Sequence, residues 1–254
     1  MSLRRLLTAL AVLATTLVVA SPAQPAGAAS TKDPVIIVTG FTTGPLVEPG
    51  YAPLAARLRN DGYTVSVLSY PDYGTGDIHD QAVRLRDRVN QVRASSGAAK
   101  VDLVAHSMGG LVSRDYIETL GGTATVDSLV MLGTPNYGTS LANLATFFTF
   151  GTCIGITACE QMAIGSSYLG ALNAGDDTPG NVSYTAITTA AELVVTPYTS
   201  VYLANDGNIA NIRVQSQCFG RWPGHLGLIL DGAVYDGVRD ALRHEAVRMN
   251  CWAL

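Results

Sequence analysis

Six short runs rich in β-branched residues punctuate the chain: Val35 to Thr39, Tyr63 to Ser69, Val101 to Ala105, Val126 to Leu132, Val182 to Ile187 and Ile209 to Gln215. Each is bounded by Gly, Pro or Asp. Their apolar residues follow one another instead of alternating with polar ones, the pattern of strands buried on both faces. Between them lie helical stripes. Ile78, Ala82, Leu85, Val89 and Val92 recur at spacings of four and three, with Asp80, Arg84, Asp87, Arg88 and Gln91 on the other faces. Val234, Val238 and Leu242 mark a last helix. The alternation predicts an α/β fold, a mostly parallel central sheet of about six strands with helices on both faces. In such sheets reactive groups gather at the carboxyl ends of the strands.

Leu141 to Gly180 breaks the alternation, mixing Leu144, Phe147, Phe148 and Phe150 with glycines. A small cap or rim is expected here. Its clustered Phe and Leu, with few charges, suit the wall of an acyl-binding groove, and an ordinary helix packed on the sheet fits the pattern equally.

At the amino end, Arg4 and Arg5 precede an apolar run from Leu6 to Ala20, followed by Ser21, Pro22 and a small-residue tail through Ala28 and Ala29. Residues 1–29 therefore read as a secretory signal peptide, too short and wrongly flanked for a membrane span. Residues 30–254 are expected to form one catalytic domain, exported to the extracellular space, with no transmembrane segment and in monomeric form. Without Arg4 and Arg5, fourteen basic residues face twenty acidic ones, a net charge of −6. That balance argues against nucleic acid as a partner.

Four cysteines in an exported chain imply two disulfides, for which three connectivities exist. The spacing favours Cys153 with Cys159 and Cys218 with Cys251, the short loop contributing roughly 2 kcal/mol and the long one roughly 4. No Cys-x-x-Cys or His-rich spacing suggests a metal, and no cofactor is implied.

The chemistry centres on Val101-Asp-Leu-Val-Ala-His-Ser-Met-Gly-Gly-Leu-Val112, a buried strand that stops at Ser107 and restarts as a helix on Gly109 and Gly110. A turn this tight strains its central residue and pushes that side chain out of the sheet. It also demands small residues two before and two after, here Ala105 and Gly109. A plain helix-capping serine needs no such neighbours. Ser107 is the candidate nucleophile.

An acid and then a histidine should follow along the chain. His225, in Pro223-Gly224-His225-Leu226-Gly227 before the final helix, is the candidate base. His244 reads as a solvated residue deep in that helix, His106 is excluded as base because neighbouring residues on the elbow point apart, and His79 opens a helix beside Asp77 and Asp80. Glu192 is the single carboxylate in the run after the fifth strand and the candidate acid; a water-facing glutamate at a helix start fits the same residue type. Asp206, in the turn-forming Asn205-Asp206-Gly207, competes with it. Two backbone N–H groups should form an oxyanion hole: those of Met108, after the nucleophile, and Phe41, in the glycine-flanked loop after the first strand.

Ala105-His106-Ser107-Met108-Gly109-Gly110, Leu132-Gly-Thr-Pro-Asn-Tyr-Gly-Thr139 and Val194-Val-Thr-Pro197 with the carboxylate before it resemble the small secreted bacterial lipases of the class 2 family. The paired cysteines and the loop at His225 fit as well. The resemblance implies an α/β-hydrolase fold and hydrolysis of carboxylic esters, acylglycerols among them, with Ser107 as nucleophile, Glu192 at the acid position and His225 as base. The partner it implies is a lipid or ester substrate, in solution or at a lipid–water interface. Where the family pattern usually has aspartate this chain has Glu192, longer by roughly 1.5 Å, so the acid loop should sit back or the side chain bend. Two other readings use the same residues: a non-catalytic binding protein on a hydrolase scaffold, and an acyltransferase or thioesterase.

Overall fold

The computed structural model describes residues 32–141, 143–144, 153–204 and 207–254. The predicted leader, Phe147, Phe148, Phe150 and Asp206 lie outside the described residues. Six strands, β1 (Val35–Val38), β2 (Val65–Leu68), β3 (Val101–His106), β4 (Val126–Leu132), β5 (Ser183–Thr188) and β6 (Ile209–Arg213), form one sheet in the order β2-β1-β3-β4-β5-β6. Every pairing is parallel. The helices among the described residues are α1 (Ala52–Asn60), α2 (Ile78–Ser96), α3 (Met108–Thr119), α4 (Thr157–Gln161), α5 (Ser167–Leu172), α6 (Val214–Gln217) and α7 (Gly232–Leu242). None is long and apolar enough to cross a membrane.

The unbroken apolar character of the central strands has a direct cause in the layers. Ile36, Val38, Leu103, Ala105, Leu129 and Met131 point to the face packed by α2 and α3, and Val35, Ile37, Val104, Val130 and Leu132 to the face packed by α1 and α7. Burying each such Val, Leu or Ile side chain contributes about 1.5–3 kcal/mol. The edge strands differ. β6 is half-buried along its whole length and β2 at three of its four residues. Both are shorter than expected: Tyr63 belongs to the turn after α1, its N–H bonding Leu58, and the chain beyond Arg213 winds into α6.

The helix stripes follow the periodicity. Ile78, Ala82, Leu85 and Val89 are the buried face of α2; Asp77 caps its start by accepting from the His79 N–H at 2.7 Å, and Gly97, with φ 74°, ends it. α7 starts where Asp231 accepts from the N–H groups of Ala233 and Val234. It ends at Leu242, so His244 stands beyond the helix and not within it.

The described part of the 141–180 segment runs along the loops leaving β4 and β5: the Thr139 N–H bonds the Met162 carbonyl, the Ile164 N–H bonds the Thr139 carbonyl, and Asn143 and Asn173 donate to Thr196 and to the Asn136 carbonyl. α4 and α5 pack on α2 and α3. Gln161 bonds the Ile78 N–H and the Asp77 carboxylate, and the Tyr168 hydroxyl bonds Asp115. Leu144 is buried in the core on that side. Both cysteine pairs stand as the spacing favours, Cys153 with Cys159 and Cys218 with Cys251.

Candidate active site

Between β1 and β3 the strand order reverses direction, and the loops leaving those strands open a crevice there. β3 ends at His106, α3 begins at Met108, and Ser107 between them has φ 55° and ψ −129°. That backbone conformation costs a non-glycine residue about 1–3 kcal/mol and persists where its surroundings enforce it. They do: the Ser107 N–H bonds the Leu132 carbonyl at 2.9 Å, and its carbonyl accepts from Gly110 at 3.0 Å. A Cβ on Gly109 would collide with the carbonyl oxygens of Val38 and Thr39, and one on Gly110 with the Thr134 side chain. On the other side of the elbow, a Cβ on Gly40 would sit 3.0 Å from that of Ser107. The small residues thus let the elbow nest against the loop after β1.

Glu192 and His225 come from loops after β5 and α6, thirty-three residues apart in the chain. His225 Nδ1 and Glu192 Oε2 are 2.8 Å apart, with the two side chains 1% and 0% exposed. Glu192 is therefore not a water-facing glutamate. Its other oxygen, Oε1, accepts from the N–H groups of Val194 (2.8 Å) and Val195 (3.1 Å), so both lone-pair sets of the carboxylate are engaged. Gln215 fixes this loop, accepting from the Ala190 N–H and donating to Thr189 Oγ1. Gly133 leaves open the space beside the Glu192–His225 pair. That residue has φ +63°, and a Cβ there would lie 3.2 Å from Glu192 Oε2 and 3.1 Å from His225 Nδ1.

Ser107 and His225 line one cavity of about 480 Å³, with Phe41, Val47, Tyr51, Leu226, Ile229 and Leu230 among the other lining residues. Most of that wall is apolar. Ser107 itself is 3% exposed and opens onto the cavity. Phe41 lies on its wall, while Met108 supplies the first residue of α3 and turns its side chain into the core beside Tyr70 and Gly74. No described residue of the 141–180 segment lines the cavity.

Three residues of this region carried no role in the sequence. Gly133 is one. The others are Tyr51 and His106: the Tyr51 hydroxyl is 2.9 Å from His106 Nδ1, and His106 Nε2 is 3.1 Å from the His225 carbonyl oxygen. Burial, and then the proximity of His225, push the His106 imidazole down to about 3, so it stays neutral. Burial likewise pushes the Tyr51 phenol up to about 12.

Neither His79 nor His244 lines this cavity. His79 bonds Asp115 at 2.9 Å, and His244, half-exposed, bonds Asp127 at 2.7 Å. Asp33, Asp102 and Asp127 bring carboxylate oxygens within 4.8 Å of one another at the amino ends of β1, β3 and β4, where Lys100 and His244 already bond Asp127.

Residues 32–217 match the family model described as Lipase (class 2). A triacylglycerol lipase of Burkholderia plantarii is 34% identical over 131 residues, 49% of this chain and 36% of that protein. One of Pseudarthrobacter phenanthrenivorans is 32% identical over 120 residues, 45% and 37% of the two chains. The matched segment thus spans little more than a third of the length of either relative. Among solved structures, lipase B of Aspergillus fumigatus superposes with a TM-score of 0.71 at 20% identity, over 85% of this chain and 54% of that one. The mature form of the Bacillus licheniformis lipase BlEst2 gives 0.61 at 16% identity, over 78% and 86%. These likenesses show the α/β-hydrolase fold. With a family model spanning most of its length, this chain belongs to the class 2 lipase family.

Proposed function

We propose that this protein is an exported serine hydrolase that cleaves carboxylic esters of lipids, with Ser107 as nucleophile, His225 as base and Glu192 as acid. The observation that carries the reading is the buried 2.8 Å pair of Glu192 and His225, whose imidazole lines one cavity with a serine on a strained strand-to-helix turn. With Nδ1–H donated to Glu192, a neutral His225 ring has its lone pair on Nε2. Nε2 takes the Ser107 proton as Oγ bonds the ester carbonyl carbon. The resulting oxyanion is received by the backbone N–H groups of Phe41 and Met108, and the ring then passes its proton to the departing alcohol oxygen. Water, deprotonated by the same nitrogen, releases the acid and restores the serine.

The apolar wall of Val47, Leu226, Ile229 and Leu230 supports a hydrocarbon chain as the group bound beside the reacting carbonyl. Two disulfides, together with the leader-like residues 1–29, support export to an oxidising compartment. A binding scaffold without catalysis gives no reason for burying a carboxylate and an imidazole together beside a strained serine. Short-chain and long-chain nitrophenyl esters test the reading. Turnover of at least one, abolished in Ser107→Ala, is expected; turnover of neither by folded protein overturns it.

A further inference from the structure

We propose that Tyr51 and His106 are positioning residues of this site, members of one directed hydrogen-bond chain that fixes the Gly40–Phe41 loop, the elbow and the His225 loop against one another. The inference rests on the hydrolase reading above. Gly40 N–H lies 3.0 Å from the Tyr51 hydroxyl oxygen, that oxygen 2.9 Å from His106 Nδ1, and His106 Nε2 3.1 Å from the His225 carbonyl oxygen. All three links are buried except for the edge that Tyr51, His106 and Gly40 present to the cavity.

The direction of each link follows from donor chemistry. A carbonyl oxygen only accepts, so His106 Nε2 carries the hydrogen. A neutral imidazole then has a bare Nδ1, which accepts from the Tyr51 hydroxyl; the tyrosine oxygen in turn accepts from Gly40. One proton arrangement satisfies every member. A second hydrogen on His106 would turn the Tyr51 hydroxyl proton away from Nδ1 and place a charge in a ring 4.8 Å from that of His225.

The consequence for catalysis is geometric. Gly40 immediately precedes Phe41, whose N–H is assigned to the oxyanion, and His106 immediately precedes Ser107. The chain therefore sets the distance between the oxyanion loop and the nucleophile, and ties both to the backbone that carries the base. Such positioning matters in the transition state, where charge develops on the oxyanion, more than in substrate binding. A displacement near 1 Å costs up to about 100-fold in rate.

The test is Tyr51→Phe, which keeps the ring and removes one acceptor and one donor. Its kcat should fall about 10- to 100-fold with KM within about twofold, and a trifluoromethyl ketone that forms the tetrahedral adduct should weaken in proportion. His106→Phe should lose a comparable factor, and the double variant little more than either single one. Independently of activity, ¹⁵N spectra of the wild-type protein should show His106 neutral and protonated on Nε2 from about pH 5 to 8. Wild-type turnover with Tyr51→Phe unimpaired, or raised in KM alone, overturns the positioning role and leaves the hydrolase reading standing. The opposite tautomer of His106 overturns it too. Wild-type protein without ester turnover overturns both.

Discussion

Gly133 lies against the hydrogen bond that Glu192 makes to His225: a Cβ built at its α-carbon would be 3.2 Å from Glu192 Oε2, 3.1 Å from His225 Nδ1 and 3.0 Å from Leu228. It follows β4 directly, with φ +63°, so an L side chain there is strained as well as crowded. Gly133→Ala should lower kcat by 10-fold or more by prising the pair apart, and destabilise the fold by about 1–3 kcal/mol. Rates and thermal melts of the purified variant check both. An alanine variant with wild-type kcat would mean that the close approach is not needed.

Glu192 does two jobs with its two oxygens, and the jobs separate on substitution. Glu192→Gln keeps an acceptor for Val194 and Val195 but withdraws the charge facing the imidazole. It should cost about 10²- to 10⁴-fold in kcat with a modest change in melting temperature. Glu192→Ala should lose stability too, since two buried N–H groups are left at about 1–3 kcal/mol each. Asp206→Asn is expected to retain the rate within about twofold, and the reverse ranking of the two amide variants would transfer the acid role to Asp206.

Asp102, at the amino end of β3, gives a pH dependence of stability remote from the cavity. Burial, then the neighbouring Asp33 and Asp127, push its carboxyl up to about 8 in the folded protein. The folded state thus holds a proton that the unfolded chain gives up near 3.9. The favourable contribution is complete below about pH 4 and is lost as pH rises through 8. Melting temperatures of wild type and Asp102→Asn should accordingly diverge in favour of the variant between pH 5 and 8. A constant difference over that range would contradict the assignment.

The disulfide between Cys218 and Cys251 spans 33 residues and holds a tail whose carbonyls at Cys251 and Ala253 bond Arg221 and at Leu254 bonds Arg57. Loop entropy gives it roughly 4 kcal/mol against roughly 2 for Cys153–Cys159. Replacing Cys218 and Cys251 by alanine should lower the melting temperature by roughly 10 °C, about twice the loss from the other pair. Equal losses would show that loop length is not what matters.

The fold was legible because its information is local and repetitive. Val35–Val38 and Val126–Leu132 are buried on both faces, so their composition alone marks central parallel strands, and Ala105 and Gly109 mark the elbow by their size. The limits of the edge strands were less legible. Gln215 reads as part of a strand run, yet it lies in a short helix and bonds Thr189 and Ala190 of the loop before Glu192. Residues 141–180 have no single period, and their described part packs both on α2 and α3 and on the loops leaving β4 and β5. Tyr51 and His106 were unreadable for another reason. Their bonds join residues 55 and 119 positions apart, and no spacing rule connects them.

The proposed reaction turns on the Ser107 oxygen, at the strained turn between β3 and α3, as the group that bonds the substrate carbonyl. A fluorophosphonate probe reports this directly, because an activated serine displaces fluoride and keeps the phosphonyl group. Peptide mapping by mass spectrometry should find one adduct, on Ser107, absent in Ser107→Ala and slowed in Glu192→Gln. An adduct on another residue, or none on folded wild-type protein, would rule out Ser107 as the nucleophile.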